Sequence, residues 1–344
     1  MSEVEVFLDD TPGEVRGVVV RDGRFEHLLI QREDDVPEHR LGARCIGRIV
    51  DVHPGLKGGF VDLGTIVHGF LPFRGQDRLA VGQKIEVEVS AEPREGKGPT
   101  LRLIGVGEGE PRLLAPGPTV TGMLRRLAPG VEPATGLAAI QASRDAEEEA
   151  SWPGEFFEDT GLDLMVQRTR ALIAVDLDLS PAPGVSFGAN ARTRANRQGL
   201  HAAARMIRLK RWGGLVAIDL IGAGQDGDSA MAAAKEAFGG DPDVVFGPVN
   251  RFGVLQLALP WRRTPLEEIL NSPEGRRRPG QRAQDIVRSL GFALLSDTTI
   301  PRITVRAPPE DAGLAAPLVA RLGPRAHLVS DPAVAPGAYV IEDR

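Results

Sequence analysis

Cysteine is almost absent from this chain: its 344 residues include only Cys45. That excludes an internal disulfide, and any structural zinc site drawing several thiolates from one chain. The six histidines (His27, His39, His53, His68, His201 and His327) show no metal-ligand spacing of the HExxH kind. Aromatic residues make up 5%, with a single tyrosine, so cores must be built from Val, Leu, Ile and Ala. No apolar run approaches the roughly 20 residues of a bilayer-spanning helix. The acidic start, Met1 to Asp10, lacks the basic-then-apolar order of a secretion signal. Together these absences predict a cytoplasmic, reducing location and no membrane partner.

What is present is an ordinary globular balance, 42% apolar and 26% charged, in a chain long enough for two or three modules. The net charge of −6 argues against bulk binding of a polyanion. Its distribution argues the other way: from Asn190 to Gly213 the sequence has seven Arg or Lys, Arg205, Arg208 and Lys210 among them, and no acidic residue. Such a stretch suits a polyanionic substrate, or is simply the solvated face of a helix.

Residues 1 to about 40 read as a three-stranded meander, with Asp22-Gly23 as a hairpin turn. From 42 to 105, five short strands separated by Gly- and Pro-rich turns predict a small barrel of the OB kind. Phe60 and Phe70 fall on neighbouring strands of it, and Lys97 lies in a Gly-rich turn. Aromatics beside basic groups stack on single-stranded RNA, although periodicity alone assigns both phenylalanines to the core. From Met165 onward strands alternate with helices, which indicates a sheet covered by helices. A small strand–helix–strand–strand unit closes the chain after a basic break at Glu274 to Arg282.

Two apolar strands, Leu172 to Asp178 and Gly213 to Ile221, are interrupted by Asp176 and Asp219. A carboxylate within an apolar strand is costly unless paired or bound to a metal. Side by side in one sheet, the two predict a shared Mg²⁺; the alternatives are a cap at a strand end for Asp219 and pairing with Arg168 or Arg170 for Asp176. Gly184 to Gly188 matches the GxSxG pattern of hydrolases, but Pro181 and Pro183 precede it where a strand is required. It reads as a loop, and Gly96-Lys97-Gly98 as a turn rather than a phosphate-binding loop.

The run from Cys45 to Gly64, with His68-Gly-Phe-Leu-Pro after it, resembles the OB-fold of the bacterial ribonuclease E/G family. The segments Asp176-Leu-Asp178, Ala203 to Arg211, Gly213 to Asp219 and Gly253 to Leu257 resemble that family's catalytic strands and arginine-rich helix, in the same order. The resemblance covers about residues 1 to 270. It implies an α+β / α/β multidomain chain: an OB-fold RNA-binding barrel (42–105) inserted in an RNase H-like part (1–41, with a reduced sensor region over 106–165), then a DNase I-like α/β catalytic domain (166–272) and the small unit at 283–344.

The activity so implied is Mg²⁺-dependent endonucleolytic hydrolysis of single-stranded RNA, leaving a 5′-phosphate and a 3′-hydroxyl. Asp176 and Asp219 would hold the metal, and Asp178 would orient a ligand or the scissile phosphate. Phe60, Phe70 and Lys97 would hold RNA on the barrel, and Arg205, Arg208 and Lys210 would contact phosphates. The family carries Asn where this chain has Asp178, and its zinc-link cysteines are missing here, so any homo-oligomer forms without zinc. These departures keep open a second expectation: an RNA-binding protein on the same scaffold that does not cleave.

Overall fold

The computed structural model describes residues 3–73, 79–180, 188–222 and 227–343. Most of the GxSxG run lies outside them. The chain forms two compact units, Met1–Ala146 with Arg263–Arg344, and Glu147–Arg262. Among the described residues no helix is long and apolar enough to cross a membrane.

The first unit begins with the antiparallel meander β1 (Val4–Thr11), β2 (Glu14–Arg21) and β3 (Arg24–Arg32). Asp22 and Gly23 both take positive φ, 49° and 73°. This is the type I′ geometry that suits the twist of a hairpin and that Asp-Gly adopts readily. The barrel follows, with β4 (Arg44–His53), β5 (Gly58–Asp62), β6 (Gly69–Pro72), β7 (Lys84–Ala91) and β8 (Thr100–Val106). The order β5-β6-β8-β7-β4 closes through β4–β5 pairing, and the β6–β8 contact is parallel. It is a closed five-stranded barrel, consistent with the OB-like expectation. Its interior is aliphatic (Ile49, Val61, Leu71, Val87, Leu101) and includes Cys45, whose thiol burial pushes up to about 11. That thiol is a core methyl-sized filler rather than a reactive group.

After the barrel come β9 (Arg112–Ala115), paired with β4, then α1 (Val120–Leu127) and α2 (Leu137–Ser151). Thr119 caps α1 by accepting the Gly122 N–H, and Val120, Met123 and Leu124 pack on Val6, Val19 and Leu29 of the meander.

The second unit holds one six-stranded mixed sheet, order β10-β11-β12-β13-β15-β14. Its elements are β10 (Gly154–Phe157), β11 (Leu162–Arg168), β12 (Ile173–Leu179), α3 (Ala189–Lys210), β13 (Gly214–Asp219), α4 (Gly227–Phe238), β14 (Val245–Phe246) and β15 (Val254–Leu259). β12 and β13 are parallel, joined by the α3 crossover, and the remaining pairs are antiparallel. The sheet starts well before the expected boundary at 166: β10 and most of β11 lie in the stretch 106–165 expected as a reduced sensor region. One face is buried, with Leu164, Val175, Leu177, Val216, Ile218 and Leu257 packed with Leu200, Ala203 and Ile207 of α3. The other face of β12, β13 and β15 carries the alternate residues, which are exposed or half-buried.

The chain closes with α5 (Leu266–Leu270), α6 (Pro279–Ser296), β16 (Ile303–Ala307), α7 (Pro309–Val319), β17 (Ala326–Ser330) and β18 (Val340–Asp343). These belong to the first unit rather than to a free-standing C-terminal module. The fastening is ionic and buried. Arg288 of α6 donates from Nε to Asp9 Oδ2 at 2.7 Å and from Nη2 to Glu14 Oε1 at 3.0 Å. Glu14 also accepts from Arg16 Nε (2.6 Å) and Arg32 Nε (2.7 Å), and Asp9 from Thr11 (2.6 Å) and Ser143 (2.7 Å). Burial alone would raise the Glu14 carboxyl, but the surrounding Arg16, Arg288 and Arg32 outweigh it and hold the group well below the usual carboxylate range.

Candidate active site

β12 and β13 place Asp176 and Asp219 directly opposite one another in the parallel ladder. Neighbouring strands lie about 4.8 Å apart, and register partners point to the same face, so both carboxylates stand side by side on the face not covered by α3. Here the structure corrects the premise taken from sequence: the strands are buried on one face only, and both aspartates are exposed. No desolvation penalty has to be offset by a metal. What the fold provides instead is repulsion between two like charges held opposite each other, which a divalent cation relieves. The carboxylates border a shallow cavity of about 430 Å³, floored by Ala174 and Ala217 and walled by Met165 and Val254.

Asp178 lies on the same face one row further along β12, opposite Asp163 rather than in the Asp176–Asp219 row. Its Oδ1 accepts the Leu179 N–H at 2.8 Å. Among the described residues no group of three or more His, Cys, Asp or Glu is close enough to hold a metal ion. The donor set is therefore two carboxylates. That fits Mg²⁺, which usually binds through one or two carboxylates and keeps water or substrate phosphate in its other positions.

The basic helix serves a different purpose from the one expected. Arg205 is buried, paired with Glu149 and donating from Nη2 to Glu155 Oε2 at 3.0 Å. Lys210 is buried too, donating to the carbonyls of Ala150 and Trp152, each at 2.6 Å. Arg208 donates to the Ala237 carbonyl at 3.0 Å. All three fasten α3 to its surroundings, and α3 covers the sheet face opposite the aspartates. Arg205→Ala would remove the arginine paired with two partly buried glutamates and is expected to cost about 3 kcal/mol, read as a lower urea midpoint with unchanged RNA affinity.

The α3 residue that serves the aspartate strand is one that sequence reasoning missed. Asn196 clamps Ile221, two residues past Asp219, donating to its carbonyl (3.0 Å) and accepting its N–H (2.9 Å). Nothing in the local pattern marks it, because an asparagine in a helix carries no periodic signal.

On the barrel, Phe60 and Phe70 are cross-strand partners with ring centroids 5.6 Å apart, edge to face. Their neighbours Val61 and Leu71 point into the core, so both rings lie on the outer face, half-buried. The alternative that periodicity favoured, core packing, is not what the barrel adopts. Gly58 makes room for this: a Cβ there would stand 2.4 Å from the Phe70 ring. Lys97 follows a tight turn at Glu95-Gly96 (φ 51° and 72°), and its side chain is 70% exposed with Nζ 3.4 Å from Glu95. Two residues on, the Pro99 carbonyl accepts the Phe70 N–H at 2.8 Å, which ties the turn to the strand bearing the ring.

No protein-family model matches this chain, and no curated protein matches it in sequence.

Proposed function

We infer that the chain is an Mg²⁺-dependent endoribonuclease of the ribonuclease E/G type that cleaves single-stranded RNA. On this reading the meander with α1 is the RNase H-like part that receives the OB barrel, and the sheet bearing the aspartates is the DNase I-like part. The observation that carries it is the parallel register that sets Asp176 opposite Asp219 on an uncovered sheet face. The floor of alanines leaves room for a phosphodiester to lie against the pair.

When bound, Mg²⁺ supplies an acidified water and neutralises charge on the phosphoryl oxygens. Asp176 and Asp219 hold the ion, and Asn196 fixes the chain just beyond Asp219. Phe60 and Phe70 hold RNA by stacking, with Lys97 beside them for the phosphate backbone. Phe60→Ala and Phe70→Ala are each expected to weaken RNA binding by about 1–3 kcal/mol, measured by fluorescence anisotropy. The melting temperature should change little, because the rings lie outside the barrel core.

A second reading rests on Asp178. It faces Asp163 on the same sheet face and adds negative charge where a phosphate would approach. This favours an RNA-binding protein without cleavage. The two readings separate in one assay, in which the full chain is incubated with a 5′-labelled, A/U-rich single-stranded RNA in Mg²⁺, with and without EDTA. Cleavage abolished by EDTA supports the nuclease; intact RNA bound in both Mg²⁺ and Mn²⁺ supports the binding protein.

A further inference from the structure

The turn that leads into β15 carries Phe252, which at 66% exposure is the most open phenylalanine or tryptophan among the described residues. A single exposed ring is ordinary by itself, and it is the surroundings of Phe252 that make it informative. The turn is not loose. Asn250 Oδ1 accepts the N–H groups of Phe252 (2.9 Å) and Val254 (3.1 Å), and the Asn250 N–H donates to the Val254 carbonyl at 3.0 Å. Gly253 takes φ 86°, a conformation that disfavours any side chain, and its N–H returns to the Asn250 carbonyl at 3.0 Å. Five consecutive residues are thus held by their own hydrogen bonds, with the ring presented outward.

Its place in the sheet gives the ring a purpose. Val254, two residues after Phe252, is the register partner of Asp219, and the Gly253 carbonyl accepts the Leu220 N–H at 3.3 Å. The turn therefore stands at the carboxylate end of β13. Arg251 lies over the ring, its guanidinium carbon 4.7 Å from the centroid. With one face taken by a cation, the ring keeps its other face and its edge for a ligand that is both planar and anionic. A nucleotide is such a ligand, since its base stacks on the ring and its phosphate meets the arginine.

We propose that Phe252 and Arg251 form a stacking platform for the RNA base next to the phosphate held at Asp176 and Asp219. This rests on the reading of that pair as the cleavage site and assigns it a residue that positions substrate and sets sequence preference. Because the turn is already ordered, little conformational freedom is lost on binding. Since a ring stacks on any base, the preference should be for strong stackers over weak ones rather than for one hydrogen-bonding pattern.

The test is photocrosslinking of the full chain to single-stranded RNA substituted with 5-iodouridine, followed by peptide mapping. Phe252→Ala, Phe252→Trp and Phe252→Leu are compared in the same binding assay. The expected result is a crosslink at Phe252, affinity roughly tenfold weaker in Phe252→Ala, recovery in Phe252→Trp and no recovery in Phe252→Leu. Absence of a crosslink within residues 250–254 overturns the platform, as does recovery in Phe252→Leu, which would make the ring a mere apolar filler or a protein contact. These readouts do not require cleavage. A wild-type chain that crosslinks at Phe252 but never cuts RNA refutes the nuclease and leaves the platform standing; one that cuts RNA without this crosslink refutes the platform alone.

Discussion

Asp219→Asn is expected to lower the rate of Mg²⁺-dependent RNA cleavage by about a thousandfold while leaving the fold intact or slightly more stable. Asp176→Asn should behave alike. The loss follows from the several kcal/mol that a correctly held metal contributes to a charged transition state, with each tenfold in rate worth about 1.4 kcal/mol. The stability effect has the opposite sign because the two side chains are exposed register partners of like charge. Neutralising one removes a repulsion of roughly a few tenths of a kcal/mol. Thermal melting and cleavage time courses on the same samples check both halves. Mg²⁺ should also raise the melting temperature of the wild type and not of either variant, because on the proposed reading both carboxylates are needed to hold the ion. A variant that loses activity together with several degrees of melting temperature would mean that these aspartates are structural.

The largest expected change in stability lies elsewhere, at Arg288→Met. Methionine keeps much of the length and volume of the arginine stem but removes a cation that reaches both Asp9 and Glu14. Asp9 loses the arginine bonded to it and Glu14 one of three, and at 2% and 1% exposure neither carboxylate is rehydrated. Breaking a buried pair from one side costs about 3–5 kcal/mol, and equilibrium urea unfolding should show that loss at neutral pH.

The same network sets the acid limit of the fold. Burial opposes ionisation of Asp9 and Glu14, yet the arginines, with the Thr11 and Ser143 hydroxyls on Asp9, hold both carboxyls below their ordinary values. A folded-state pKa below the unfolded one contributes stability that is fully present above the unfolded value and is lost as pH falls through the folded one. Wild-type stability should therefore decline as pH drops below about 4. The gap between wild type and Arg288→Met should narrow over that range, as protonation removes the charges that made the arginine necessary. A gap independent of pH would mean that Arg288 acts by packing alone.

The elements legible in the sequence are those that a few neighbouring residues specify. Asp22-Gly23 forms its hairpin because both positions tolerate positive φ. The barrel strands appear where alternation and Gly-rich turns place them, and Asp176 and Asp219 stand out because a charge breaks an apolar run. The α6 helix shows the limit of such reading: its buried side includes Gln281, Gln284, Arg288 and Ser289, which resemble a solvated face in one dimension.

What only the tertiary structure decides is where a side chain's partner comes from and which face of a strand is covered. Arg205 and Lys210 look like a phosphate-binding stripe until Glu149, Glu155 and two backbone carbonyls more than 45 residues away are brought to them. Arg288 meets Asp9 across 279 positions of chain. Phe60 and Phe70 face outward because barrel closure directs Val61 and Leu71 inward. Backbone preference and periodicity act over a few residues and are written locally. The environment of a charge or ring depends on contacts between distant segments, which exist only once the chain has folded.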